Sequence, residues 1–194
     1  MTIRVMLAED EAIIRLDLKE TLEEEGYLVV GETGRGDEAV ALARELRPDL
    51  AILDIKMPGL DGLEVARELT RDRICAVLIL SAFSQRDLIE RARDAGALAY
   101  LVKPFQRSEL VPAVEVAIGR FRELRALTEL TESLEEQLAA RKVIDRAKGL
   151  LIDTCGLTES EAFSFIQHTA MSDRATRQSV AERVLAGELR PEGP

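Results

Sequence analysis

Five short apolar runs stand out along the first hundred residues, at 2–8, 28–31, 50–53, 77–80 and 99–102, each bounded by turn-forming residues. Runs of this kind read as strands buried on both faces, as in a parallel sheet covered by helices. Helical patterns fill the spaces between and after them, at 13–25, 36–46, 62–70, 86–95 and 107–119. This strand–helix alternation predicts an α/β fold built on a doubly wound, five-stranded parallel sheet. In such sheets ligands gather at the carboxyl ends of the strands, near a switch point in strand order. Those ends read Glu9-Asp10-Glu11, then Asp54, then Ser81-Ala82, then Lys103-Pro104.

The pattern changes after Gly119. Residues 121–146 contain neither Gly nor Pro and are rich in Leu, Glu, Arg and Ala, which predicts one long helix. Leu124, Leu127, Thr131, Leu134, Leu138 and Arg141 follow one another at spacings of 3, 4, 3, 4 and 3, a heptad seam with a polar interruption. The seam suits a coiled-coil homodimer or a linker helix packed on its own chain. Cys155-Gly156 closes the region, and Thr158-Glu159-Ser160-Glu161 has the capping-box spacing that opens a second helix. Ala162, Phe163, Ile166 and Ala170 are expected to share its core face. Ser172 or Asp173 is expected to cap a third helix that carries Val180, Val184 and Leu185 and ends at Gly187, with fraying after Arg190. The expected division is therefore 1–120, a linker helix at 121–140, and a small three-helix domain at 141–194.

Composition is that of an ordinary folded chain, 46% hydrophobic and 32% charged. No apolar run approaches the roughly 20 residues of a membrane span, and the start lacks the pattern of a signal peptide, so a cytoplasmic protein without a membrane partner is expected. Cys75 and Cys155 lack metal-ligand spacing and are read as reduced and structural. The net charge of −10 is uneven: residues 141–194 hold 8 basic and 8 acidic residues, leaving 18 basic and 28 acidic in the first 140. Within the neutral tail, Arg141, Lys142, Arg146 and Lys148 face a single acid, Asp145.

The strand ends carry the candidate chemistry. Carboxylates from separate strands would form a hard oxygen site suited to Mg²⁺. Glu9 and Asp10 would hold the ion, and Asp54 would offer one oxygen to it and another to attack phosphorus. Lys103 would neutralise phosphoryl oxygens, and the Ser81 hydroxyl would donate to one of them. Singly, each residue has a mundane reading as a solvated loop acid or a turn; the order of all four elements along the sheet favours the joint site.

The segments LAEDE, LDIKMPGLDG, LILSAF and AYLVKPF resemble the response-regulator receiver domain of two-component signalling, over residues 3–120. The resemblance implies a flavodoxin-like fold in which Asp54 takes phosphate from the histidine of a sensor kinase. It also implies Mg²⁺ bound by Glu9 and Asp10 with the Lys56 carbonyl, and a switch in which Ser81 moves toward the phosphoryl group while Tyr100 turns inward. Glu9 stands where Asp is commoner and Ser81 where Thr is frequent; Lys56 and Phe83 occupy positions that vary with dephosphorylation rate.

The tail ARKVIDRAKGLLIDTCGLTESEAFSFIQHTA followed by VAERVL is similar to the ANTAR domain, an output module of antitermination regulators, over residues 130–186. This implies binding to paired stem-loops in nascent transcripts. Arg141, Lys142, Arg146 and Lys148 would contact phosphates, and Arg174, Arg177 and Gln178 would meet loop bases. A helix-turn-helix fits poorly, because little base-reading chemistry accompanies Arg174 and Arg177. The leading expectation is a phosphorylation-controlled antiterminator that is not an enzyme. The alternative is a phosphorelay or protein-interaction regulator whose helical tail binds a protein.

Overall fold

The computed structural model describes residues 2–191. The elements in order are β1 (Arg4–Ala8), α1 (Ala12–Glu24), β2 (Leu28–Thr33), α2 (Gly36–Leu46), β3 (Leu50–Asp54), α3 (Gly62–Arg71), β4 (Ala76–Ser81), α4 (Arg86–Asp94), β5 (Ala99–Val102), α5 (Arg107–Cys155), α6 (Glu159–Ser172) and α7 (Arg177–Leu185). They form two compact units, residues 1–125 and 126–194.

In the first unit the strands pair in parallel in the order β2-β1-β3-β4-β5. Alternate strand residues supply two separate cores. Met6, Ala8, Ala51, Leu53, Val77 and Ile79 pack against α2, α3 and α4 on one face. Val5, Leu7, Leu50, Ile52, Ala76, Leu78 and Leu80 pack against α1 and the first turns of α5 on the other. Burial on both faces explains the unbroken apolar runs of the sequence. The switch in strand order lies between β1 and β3, so the loops after those strands open at one crevice.

Two features hold the loop after β3. Asp61 accepts from the Glu64 amide at 2.7 Å while the Glu64 carboxylate accepts from the Asp61 amide at 2.8 Å, a capping box that starts α3. The Gly36 amide donates to the Pro58 carbonyl at 3.0 Å, tying the same loop to the start of α2.

The helix expected to stop at Gly119 does not stop there. Helix α5 is continuous from Arg107 to Cys155, with Pro112 inside it. A single helical glycine costs only about 1 kcal/mol relative to alanine, less than the strong helix formers after it contribute together. Along this stretch Leu124, Leu127, Leu134 and Leu138 are 51% to 59% exposed, and Leu130 joins them on the same face at 57%.

The second unit has its own core of Ala147 and Leu151 from α5, Ala162, Ile166 and Ala170 from α6, and Val180, Ala181 and Val184 from α7. Thr158 caps α6 as expected, with the reciprocal Glu161 contact. Phe163 is not part of this core and is 37% exposed, since the buried stripe of α6 runs through Ala162, Ile166 and Ala170 and leaves position 163 to its side. The cap of α7 also differs from expectation. Burial of Ala170 carries α6 through Ser172; Asp173 ends it, Arg174 takes a left-handed φ of 52°, and Thr176 caps α7 by accepting from the Ser179 amide. Of the stretch after Arg190 expected to fray, Pro191 has no regular structure and residues 192–194 lie outside the described residues.

Cys75 is buried, which pushes its thiol up to about 12, in keeping with a structural role. Cys155 is exposed and packs into no core, because α5 ends there. No helix among the described residues is long and apolar enough to cross a membrane.

Candidate functional site

Four strand ends bring their polar residues to one place. Glu9 follows β1, its amide donating to the Thr33 carbonyl at 3.0 Å; Asp54 and Ser81 are the last residues of β3 and β4. Lys103 follows β5 and its amide donates to the Ser81 carbonyl at 2.8 Å. Carboxylate oxygens of Glu9, Asp10 and Asp54 lie within 4.8 Å of one another. Glu9 and Asp54 are buried, at 1% and 6% exposure, whereas Asp10 is open to solvent.

The Lys103 ammonium reaches into this cluster, 2.6 Å from Glu9 Oε2 and 3.3 Å from Asp54 Oδ1. Burial raises the Glu9 carboxyl above its ordinary pKa; the nearby Asp54 charge adds to this, and Lys103 opposes it. Burial likewise raises Asp54, again against the pull of Lys103. One ammonium therefore leaves part of the desolvation of two carboxylates uncompensated. Glu9 Oε2, fully buried, meets Lys103 as an ion pair and accepts no aligned hydrogen bond. An acceptor-only oxygen cluster of this kind fits a hard divalent cation.

Around the cluster, the Ser81 hydroxyl accepts from the Phe83 amide at 3.1 Å. Tyr100 is half-buried and its hydroxyl donates to the Phe83 carbonyl at 2.6 Å. The Lys56 ammonium lies 4.4 Å from the centre of the Phe83 ring, a cation–π distance. A cleft of about 620 Å³ beside Asp10 is lined by Lys56, Met57, Phe83, Leu88 and Arg91. Arg15, not among the residues expected at the site, donates through Nη1 to the Glu9 carbonyl oxygen. Its position one helical turn after Glu11 is the only signal that could have pointed to it.

A profile of the response regulator receiver domain matches residues 5–115, and one of the ANTAR domain matches residues 132–185. The chain belongs to the response regulators. A receiver joined to an ANTAR domain makes this response regulator a regulatory protein and not an enzyme. The transcriptional regulatory protein PdtaR of Mycobacterium tuberculosis is 57% identical over 182 residues, covering 94% of this chain and 89% of that protein. The chemotaxis protein CheY of Thermotoga maritima is 38% identical over 112 residues, 57% of this chain and 93% of that one. Among solved structures, the response regulator domain of Thermotoga maritima CheB matches with a TM-score of 0.58 at 28% identity, covering 61% of this chain and 98% of that one.

In the ANTAR unit of this response regulator the basic side chains sort into two groups. Lys148 is mostly buried and held by Asp145 at 2.9 Å and Glu159 at 3.0 Å, contacts that raise its pKa. Arg183 pairs with Asp173 at 2.6 Å, and Arg141 approaches Asp145 only at 3.9 Å. Gln178 donates to Glu182 at 3.0 Å. Lys142, Arg146, Arg174 and Arg177 are exposed and form no ion pair with a carboxylate among the described residues.

Proposed function

We propose that Asp54 accepts a phosphoryl group from the histidine of a sensor kinase, and that this controls binding of the ANTAR unit to stem-loops in nascent transcripts, causing antitermination. The observation that carries the reading is the convergence of Glu9, Asp10 and Asp54 with the Lys103 ammonium among them. Glu9, Asp10, Asp54 and the Lys56 carbonyl would hold Mg²⁺, whose charge offsets the repulsion among carboxylates and incoming phosphate. An Asp54 oxygen attacks phosphorus, the phosphorus–nitrogen bond of the donor breaks, and the histidine nitrogen leaves as its electron pair takes up a proton. Lys103 then binds the phosphoryl oxygens, Ser81 donates to one of them, and Tyr100 turns inward as Ser81 moves.

The proposed division of labour is a receiver at 1–120, a linker helix at 121–140 that dimerises through its leucine seam, and an RNA-binding domain at 141–194. Arg141, Lys142 and Arg146 contact phosphates, and Arg174, Arg177 and Gln178 face loop bases. Lys148, expected to contact phosphate as well, is held by two carboxylate partners, which favour a positioning role. The setting is the cytoplasm, where nascent transcripts are made. A protein-docking tail is the second reading, favoured by Met171 and Phe163, which are 71% and 37% exposed.

Two measurements test this. Acetyl phosphate should label the wild-type chain and fail to label Asp54→Asn; equal labelling refutes the phosphoacceptor assignment. RNA crosslinked in cells should be recovered with wild type and in altered yield with Asp54→Asn. Crosslinks to protein alone would replace the RNA reading with the docking one.

A further inference from the structure

Gly149 stands inside α5, where glycine costs about 1 kcal/mol relative to alanine. Two intramolecular reasons ordinarily justify it, a left-handed backbone or a neighbour too close for a Cβ. Neither holds. Gly149 has no positive φ, and a Cβ built on it meets nothing within 4 Å. Gly36 and Gly62 differ sharply, since a Cβ on either would lie within 2.0 Å of a backbone oxygen. Nothing within the described chain requires the bare position at 149.

What surrounds Gly149 says what it is kept bare for. Helical spacing places Lys142 two turns before it and Arg146 one turn before it on the same face. Both are exposed and without a carboxylate partner among the described residues. Asp145, at the edge of this face, is matched by Lys148. Asp153, one turn beyond, is exposed and unpaired among the described residues, and it bounds the basic strip on its C-terminal side. Ala147 and Leu151 point to the opposite side, into the core. Gly119 is equally open to a Cβ, but the positions two turns and one turn before it on the same face are Pro112 and Val116, so no basic pair stands beside it.

We infer that the sugar–phosphate backbone of RNA lies directly against α5 at Gly149, held by Lys142 and Arg146. The amides in mid-helix are committed to the helix itself, so glycine supplies room and the two cations supply the attraction. This rests on the RNA-binding reading and adds to it the contact surface and a specific steric requirement.

The test uses the full-length protein and a labelled RNA carrying two tandem stem-loops, taken from transcripts crosslinked to the wild-type chain. Gly149→Ala should raise Tm or leave it unchanged while weakening RNA binding several-fold, and Gly149→Leu should weaken it further. Lys142→Ala with Arg146→Ala should lower the slope of log affinity against log salt by about two. Wild type that binds no RNA overturns the RNA reading itself. Wild type that binds, with both Gly149 variants binding equally well, overturns this inference alone. Variants that change oligomeric state without changing RNA affinity would show instead that a second copy of the chain covers Gly149.

Discussion

Gly62 is packed so closely on Asp54 that a Cβ added to it would lie 2.0 Å from the Asp54 carbonyl oxygen and 3.1 Å from the Ile55 Cα. The Gly62 amide also donates to the Ile55 carbonyl at 3.0 Å. The first residue of α3 thus seats the end of β3 by contact between backbones, and a side chain there cannot be accommodated by a rotamer change.

Gly62→Ala should therefore destabilise the receiver unit by about 1–3 kcal/mol, the usual cost of forced overpacking. Urea denaturation checks this, and acetyl phosphate labelling should slow as Asp54 is displaced. An unchanged midpoint with unchanged labelling would show that the loop relaxes freely.

Burial holds the Glu9 and Asp54 carboxyls above their ordinary values, so as pH rises past about 4 these two groups keep their protons in the native chain where the unfolded chain gives them up. Their contribution to stability is present in full below the unfolded pKa and is lost as pH rises through the raised folded values. Mg²⁺ competes with those protons. The rise in Tm on adding Mg²⁺ should consequently be larger at pH 7.5 than at pH 5; equal rises would separate the ion from these two carboxylates.

Leu127 and Leu134 are 56% and 51% exposed on α5 and lie outside all the hydrophobic cores. Leu127→Asp with Leu134→Asp should convert a dimer to a monomer in sedimentation while leaving Asp54 labelling intact, because charge in a coiled-coil seam loses its apolar partner. A wild-type chain that stays monomeric with and without acetyl phosphate would remove the seam from the assembly.

The receiver was largely legible because its strands are buried on both faces, which leaves long apolar signals, and because its polar residues fall at strand ends. β5 matches its expected limits, and the other strands differ by no more than two residues at either end. The helical half was harder to read. Gly119 looked like a stop because glycine is a weak helix former, yet a glycine without a following proline or cap does not end a helix. Ser172 and Asp173 have good capping chemistry, but the core position of Ala170 kept α6 going past the first of them. Thr131 interrupts the apolar seam, and Leu130, one position before it and 57% exposed, flanks the gap.

Sequence by itself determined the order of strands and helices, the carboxylates, hydroxyl and lysine offered at the strand ends, and the seam and caps of the tail, since these depend on local periodicity and on residue chemistry. The tertiary structure decided what no local pattern contains. It put Lys103 between Glu9 and Asp54 and Arg15 on the Glu9 carbonyl; it paired Lys148 with Asp145 and Glu159 while leaving Lys142 and Arg146 open; and it turned Phe163 outward. The physical reason is that charge pairing and burial are set by whichever residues, mostly distant in sequence, the packing of the elements brings within a few ångströms.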